Sequence, residues 1–138
     1  MTHLLDANAV IALLNDPMGA TARRARRHKP RDIGLSSIVA HELYYGAFKS
    51  QRVSSNAALV DALQFHVVEF DREDARRAGE IRALLARRGT PIGPYDVLIA
   101  GQAKARAMVL VTNNTAKFGR VPGLRLEDWT RVRAARHR

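Results

Sequence analysis

Three carboxylates in this chain of 138 residues stand among apolar neighbours, where ionised side chains are uncommon. Asp6 follows two leucines, Glu42 lies within IVAHELY at 38–44, and Asp96 lies within YDVLI at 95–99. Lysine and arginine are absent from the four positions on either side of each. Carboxylates in such surroundings are usually paired or bound to a metal ion. The pattern therefore marks Asp6, Glu42 and Asp96 as candidate catalytic residues and metal ligands.

A set of carboxylates without histidine or cysteine ligands is typical of a site for a hard cation, here Mg2+ or Mn2+. Such a cation activates water and stabilises negative charge during in-line displacement at a phosphodiester. The chain lacks cysteine, and its five histidines include no i,i+4 pair of the kind that binds zinc on a helix. The GxxxxGK(S/T), GxGxxG and GxSxG motifs are also absent, which argues against the usual nucleotide-binding loops and a serine nucleophile.

Each of the three carboxylates also has a structural interpretation, which stays open at this point. Asp6 would cap a helix, Glu42 would form a buried ion pair, and Asp96 would complement a helix dipole. Two other carboxylates without basic neighbours, Asp16 and Asp61, fit a proline turn and the polar face of a helix. The functional interpretation requires that the fold brings Asp6, Glu42 and Asp96 together at one edge of a sheet.

Short apolar segments alternate with helical segments along the chain. Strands are predicted at 3–5, 33–35, 67–70, 108–111 and 125–126, and helices at 9–14, 23–29, from 36–37 to about 48, 56–65, from 71 to just before Gly89, and from Pro94 onwards. This alternation predicts an α/β fold, with a single compact domain over 1–138 and a central parallel sheet of four to five short strands flanked by helices.

The predicted strand ends bring the candidate residues together. Asp6 ends the first strand, and Asn113 and Asn114 follow the strand at 108–111. Ligands of open parallel sheets bind outside the carboxyl ends of the strands, where the strand order switches. Glu42 lies about two turns into the helix after the second strand, and Asp96 lies near the start of its helix. We therefore expect one acidic edge, with a turn or helix cap as the alternative role for the two asparagines.

The charge balance favours an acidic partner. Lys and Arg number 23 against 13 Asp and Glu, which gives a formal net charge of +10, and a basic C-terminal tail at 131–138 accounts for only four of these residues. Nucleic acid is the first candidate, because contacts from basic residues to phosphate dominate its binding. A bias towards arginine, which supplies 19 of the 23, is the compositional alternative. Neither a membrane span nor a signal peptide is predicted, so we expect a soluble cytoplasmic protein.

Four motifs resemble those of a known family and occur in the same order. They are LDAN at 5–8, SSIVAHELYYGA at 36–47, GPYDVLIA at 93–100 and VTNN at 111–114. The segments GRVPGL at 119–124 and LEDW at 126–129 extend the likeness towards the C-terminus. Together these segments resemble the PIN-domain ribonuclease toxins, and most closely the VapC type of type II toxin–antitoxin systems.

The resemblance implies an Mg2+-dependent endoribonuclease that hydrolyses phosphodiester bonds in loops of tRNA or rRNA, with Mn2+ as the alternative cofactor. Asp6, Glu42, Asp96 and Asn114 would form the catalytic site. Asp6 and Asp96 would hold the metal directly, and Glu42 would be a further ligand or a neighbour of one. The supporting residues would be Asn8, Ser37, Thr112 and Asn113. The implied partners are the RNA substrate, an inhibitory cognate antitoxin and a second copy of the chain.

Two positions depart from the family pattern. Ala7 stands where the family usually has threonine, so a hydroxyl is missing next to the site. Asn114 stands where many PIN domains have a fourth acid, which lowers the negative charge of the site and argues against tight binding of a second metal ion. In having asparagine at this position, the chain resembles other members of the VapC type, so Asn114 does not imply that the protein is inactive.

Two other functions remain as alternatives. A haloacid dehalogenase-type phosphatase would phosphorylate an aspartate at the strand end, but its general acid two residues later is replaced here by Asn8. A catalytically inactive PIN-like RNA-binding module would use the carboxylates only for folding. Tyr44, Tyr45 and Phe48 are expected to lie partly in the core, with a subunit interface as the alternative.

Overall fold

Five short parallel strands form the sheet of the computed structural model, which describes residues 1–131. The strands are β1 (His3–Leu5), β2 (Ile33–Ser36), β3 (His66–Val68), β4 (Val109–Val111) and β5 (Leu126–Glu127). The helices are α1 (Ala7–Asn15), α2 (Ala20–Ala25), α3 (Ser37–Phe48), α4 (Val53–Asp61), α5 (Arg72–Arg87), α6 (Pro94–Ala105) and α7 (Thr115–Phe118), with a 3-10 turn at Pro30–Asp32. The predicted α/β fold, with a parallel sheet flanked by helices, is confirmed.

β1 lies at the centre of the sheet, whose order is β3-β2-β1-β4-β5. Leu4 and Leu5 are 0 % exposed, as expected for a parallel strand that helices cover on both faces. The chain runs outwards from β1 to β3 and then returns to the other side of β1 to form β4. The strand order therefore reverses between β1 and β4. This is the place where open α/β sheets bind ligands, outside the carboxyl ends of the strands.

α6, which carries Asp96 in its first turn, packs closely against α5. Gly101 makes this approach possible, because a Cβ atom added there would lie 2.5 Å from the Cβ of Ala78. α6 begins with Pro94 in its first turn, where the missing N–H leaves no helical hydrogen bond unmade. Tight packing along α5 therefore sets the direction in which the start of α6 presents Asp96.

A buried carboxylate on α5 anchors the other end of α6. Asp74 is 1 % exposed and belongs to the predicted capping box with Asp71, which the structure confirms. Arg106 donates to both carboxylate oxygens of Asp74, from Nη2 at 3.0 Å and from Nε at 3.2 Å. Gln102 donates to Asp74 at 3.3 Å and to the carbonyl oxygens of Val68 and Glu69 at 3.2 Å. These bonds join α6 to α5 and to the end of β3.

Three predicted segments begin or end at other residues than expected. The predicted helix at 23–29 is α2, which ends at Ala25, because the residue before Pro30 disfavours helical geometry and the proline starts a 3-10 turn instead. The predicted strand at 67–70 ends at Val68. The backbone after Val68 instead bonds to side chains, as Glu69 accepts from Gln102 and Arg106, and Phe70 donates to Ser37. The helix predicted at 56–65 is α4, which starts and ends earlier.

The side of α3 that faces the core is formed by aliphatic residues and not by the aromatic residues expected there. Val39, Leu43 and Ala47 follow the helical period and are buried. Tyr45 and Phe48 lie off this stripe and are 61 % and 62 % exposed, so their predicted place in the core was wrong.

Two further expectations concern the basic C-terminal tail and the absence of a membrane span. Of the predicted basic tail at 131–138, only Arg131 lies within the described residues, where it pairs with Asp128. Among residues 1–131, no helix combines the length and the apolar composition that a membrane span requires.

We expect Arg106→Met to lower the free energy of unfolding by about 2 kcal/mol, because the buried Asp74 carboxylate would lose its charged partner. Urea unfolding followed by circular dichroism measures this change. Arg82→Met, which removes an exposed arginine from α5, is the control and is expected to change stability by less than about 0.5 kcal/mol. Equal effects of the two substitutions would contradict the anchoring role of Arg106.

Candidate active site

Asp6 joins three elements at the switch point of the sheet. It directly follows β1, and its N–H donates to the carbonyl oxygen of Val111 at the end of β4. Its carboxylate caps α1 by accepting from the N–H of Ala9 at 2.8 Å. The side chain is only 6 % exposed. The structural interpretation of Asp6 as a helix cap is therefore correct, and it places a buried carboxylate where the fold binds ligands.

The surroundings of Asp6 oppose its ionisation on balance. Burial raises the pKa of Asp6, and this effect is larger than the lowering by hydrogen bonds from the Thr112 hydroxyl and the Ala9 N–H. The charge of Asp96 raises the pKa further, and the charge of Lys117 lowers it. The site thus carries negative charge that the protein only partly compensates.

Glu42 lies about two turns into α3 and is half-buried, as the sequence analysis expected. Burial raises the pKa of Glu42, and the charges of Asp96 and Asp6 raise it further. Glu42 also lines an open cavity of about 490 Å3 together with His41, Tyr45 and Tyr95. The carboxylate therefore belongs to the field of the other two acids and also faces a space that a ligand could enter.

Asp96 lies in the first turn of α6, at the positive end of the helix dipole. Its Oδ2 atom forms an ion pair with the Nζ atom of Lys117, 2.8 Å away. The same oxygen would lie 2.8 Å from a Cβ atom at Gly93, so glycine at the helix cap leaves room for the carboxylate. Asp96 is thus held between the start of its own helix and a lysine from α7.

The three carboxylates share one electrostatic environment without forming a closed ligand set. The charge of Asp96 raises the pKa of both Asp6 and Glu42. Within the described residues 1–131, no three His, Cys, Asp or Glu side chains have the mutual spacing of a metal centre. The three carboxylates have different neighbours. Asp6 caps α1, Asp96 pairs with Lys117, and Glu42 borders the open cavity.

Comparison with known proteins identifies the family. The family model for the PIN domain matches residues 3–124. A protein of Salmonella typhimurium named tRNA(fMet)-specific endonuclease VapC is 42 % identical over 131 residues, which cover 94 % of this chain and 98 % of the relative. The chain belongs to the PIN domain family. A protein of the same name from Shigella flexneri is 40 % identical over 94 % of this chain and 99 % of the relative, which assigns this PIN domain to the VapC type.

Solved structures resemble this PIN domain over almost the same length. The crystal structure of DNA-bound VapBC from Salmonella typhimurium matches with a TM-score of 0.89 and 41 % identity, covering 94 % of this chain and 98 % of that one. VapBC2 from Rickettsia felis, bound to a fragment of its promoter DNA, matches with a TM-score of 0.86 and 32 % identity, covering 94 % and 99 % of the two chains. The predicted resemblance is confirmed. The haloacid dehalogenase interpretation of Asp6 has no support from these matches.

Of the two asparagines after β4, Asn114 caps a helix in this PIN domain. The side chain of Asn114 accepts from the N–H of Lys117 at 3.2 Å and so caps α7. The hydroxyl of Thr112 accepts from the N–H of Asn114 at 3.0 Å, and it also lies near enough to the Asp6 carboxylate to lower its pKa. Asn113 is exposed. Thr112 and Asn114 therefore link Asp6 to the helical turn that carries Lys117, whereas a catalytic role of Asn114 stays a prediction.

Ser37 and Asn8 have weaker connections to the carboxylates. The hydroxyl of Ser37 accepts from the N–H of Phe70 at 3.2 Å, which ties the start of α3 to the segment between β3 and α5. Asn8 is exposed in the first turn of α1. The contacts of Ser37 are those of a structural residue, and the supporting roles predicted for both remain predictions.

Sequence reasoning missed Lys117. The residue is distant in sequence from Asp96, and its own neighbours have the composition of an ordinary helix surface. A search for basic residues near each acid along the chain therefore cannot find the pair. Only the packing of α7 beside α6 brings the Lys117 ammonium to the Asp96 carboxylate.

We expect Asp6→Asn to stabilise the metal-free protein at neutral pH while keeping the cap of α1, since asparagine and aspartate cap helices equally well. A raised pKa means that the folded state favours protonated Asp6, so the stability from this group is present at low pH and is lost as pH rises through the folded-state value. The advantage of the variant should therefore disappear below about pH 4.

Thermal unfolding in EDTA between pH 3.5 and 8 measures this dependence. Glu80→Gln, which neutralises an exposed acid on α5, is the control. A difference between wild type and Asp6→Asn that stays constant across the pH range would contradict the electrostatic explanation.

Proposed function

We propose that this PIN domain is a metal-dependent endoribonuclease and the toxin of a toxin–antitoxin pair. The observation that carries the proposal is the buried carboxylate of Asp6, which directly follows the central strand β1 and contacts the end of β4 at the switch point of the sheet. Relatives that are 40–42 % identical over nearly the whole chain are named tRNA(fMet)-specific endonucleases, and these names support the same chemistry.

The donor set fits a divalent cation. The three side chains offer only oxygen ligands, which suit Mg2+ and also Mn2+. Burial and mutual repulsion raise the pKa of Asp6 and Glu42, so a cation at this edge would relieve charge that the protein leaves uncompensated. Asp6 and Asp96 would hold the ion with Glu42 beside them. When bound, it would supply Lewis-acid stabilisation of the phosphodiester and a more acidic water.

The protein's own groups divide the remaining work. The N–H of Ala9 orients the Asp6 carboxylate by donating a hydrogen bond at 2.8 Å, and the nearby Thr112 hydroxyl lowers the pKa of that carboxylate. Glu42 accepts the proton of the attacking water at its carboxylate, because its raised pKa brings it closer to the pH at which a general base is effective. Asn114 caps α7 and so holds Lys117 beside Asp96.

RNA is the substrate class that the surface around Glu42 suits. The cavity at Glu42 is lined by Tyr45 and Tyr95, which are 61 % and 48 % exposed, and by His41, whose ring lies 5.6 Å from that of Tyr95. Exposed rings beside a basic surface suit unstacked bases and their phosphates. We propose tRNA as the substrate, with rRNA as the alternative, and the cytoplasm as the place of action.

An antitoxin is the partner that an apolar cavity beside α1 suits. Solved structures of similar chains are VapBC complexes. In this chain, α1, α2 and α4 border an apolar cavity of about 520 Å3, lined among others by Leu13, Leu14 and Leu59. Apolar side chains of another chain would bury this surface and so gain hydrophobic free energy. We propose that an antitoxin segment covers it, and that the exposed Phe48 contributes to pairing with a second copy of the chain.

Incubation of the antitoxin-free protein with total tRNA and Mg2+ tests the activity. We expect discrete fragments that EDTA abolishes, and a loss of about a hundredfold or more in cleavage rate for Asp96→Asn, since the metal would lose a ligand. Asp61→Asn is the matched control, because this exposed acid on α4 accepts from Tyr44 outside the site. Binding of tRNA, measured by filter retention, should persist in Asp96→Asn.

Two results would replace the proposal. Cleavage that persists in Asp96→Asn or in EDTA would remove the carboxylates from the reaction. Intact tRNA and intact rRNA in every sample, together with retained RNA binding, would favour the catalytically inactive RNA-binding module.

A further inference from the structure

The ammonium of Lys117 lies within the carboxylate site. Its Nζ atom is 2.8 Å from Oδ2 of Asp96, and the two side chains are 29 % and 27 % exposed. The ammonium also lies over the ring of Phe118, 5.2 Å from its centre, and that phenylalanine is 1 % exposed. The lysine is therefore held between a carboxylate and a buried aromatic ring, away from the open solvent that surrounds most surface lysines.

A chain of backbone contacts fixes where Lys117 lies. Thr112 ends the sheet side of this segment and accepts from the N–H of Asn114, which in turn caps the N–H of Lys117. Thr112 is itself buried, and it directly follows Val111, whose carbonyl oxygen accepts from the N–H of Asp6 at 3.0 Å. The position of the ammonium is thus tied to the same strand end that presents the acidic site.

The charge of Lys117 counts in the charge balance of the carboxylate site. It pairs directly with Asp96 at 2.8 Å, and the cap by Asn114 holds it at the strand end that Asp6 also contacts through Val111. Three carboxylates and one ammonium leave two negative charges, which a single divalent cation neutralises. A second divalent ion would place two positive charges in excess at a half-buried edge, and Asn114 offers no further negative charge to compensate them.

We propose that Lys117 takes the place of a second metal ion, so that the site binds one divalent cation. This inference rests on the proposed function for the presence of that cation. Two-metal phosphodiesterases use a second ion to neutralise charge around the scissile phosphate. In this PIN domain the ammonium of Lys117 supplies the second positive charge, and it does so as a permanent part of the chain.

Titration calorimetry with Mn2+ in the absence of RNA tests the proposal. We expect one ion per wild-type chain and one per Lys117→Arg chain, since arginine keeps the charge. For Lys117→Met we expect either a second ion or binding of the first that is about tenfold tighter or more, because an opposing charge within a few ångströms is gone. Lys117→Gln is measured in parallel as a polar variant without charge, and circular dichroism checks that each variant is folded.

Lys29→Met is the matched control. Lys29 is exposed and precedes the 3-10 turn that leads into β2, so it lies at the opposite edge of the sheet from the carboxylates. Its removal changes the net charge by the same amount and is expected to leave the number and affinity of bound ions unchanged. A general effect of net charge would change both lysine variants alike and would overturn the proposal.

The binding readout separates this inference from the proposed function. Two ions on the wild-type chain, or unchanged binding in folded Lys117→Met and Lys117→Gln, would overturn the role of Lys117 even if RNA is cleaved. The expected binding pattern with RNA left intact would overturn the nuclease and leave the role of Lys117 in place. Wild-type protein that binds no Mn2+ would overturn both.

Discussion

The carboxylate of Asp6 must be ionised for a cation to bind it, yet the sheet leaves it almost no water. The Ala9 N–H, the Thr112 hydroxyl and the charge of Lys117 replace part of the lost hydration. Asp96 and Glu42 work in the opposite direction, since like charges at one edge raise the cost of ionisation. The architecture around the site follows from this conflict. A strand end, a helix start and a capped turn all meet where Asp6 needs a partner.

The fold maintains this arrangement through contacts far from the site. Close packing of Gly101 on Ala78, and the bonds of Arg106 and Gln102 to Asp74, hold α6 against α5. The start of α6 then has little freedom, and Asp96 stays within the field of the other two carboxylates. A rigid scaffold of this kind tolerates a site with unfavourable charge, because stability gained elsewhere offsets the local cost.

Membership of the PIN domain family and the details of this chain contribute different parts of the functional picture. The family accounts for the sheet, the three acids and the expectation of a nuclease. The chain itself adds a lysine beside Asp96, an uncharged cap at Asn114 and alanine at position 7. The lysine and the asparagine lower the negative charge of the site, and the alanine removes a hydroxyl beside it. They point to an acidic centre that needs less metal charge to balance it.

The sequence by itself determined the local structure and the main acids. Apolar runs marked the strands, the Asp71 and Asp74 pair marked the start of α5, and the apolar neighbours of Asp6, Glu42 and Asp96 set these residues apart. Such signals depend on residues within about one helical turn of each other, and a sequence window contains them. Only the tertiary structure decided that Lys117 pairs with Asp96, that Arg106 neutralises Asp74 and that Ser37 bonds to Phe70. Those partners lie on different elements, and their meeting depends on strand order and helix packing, which no local pattern encodes.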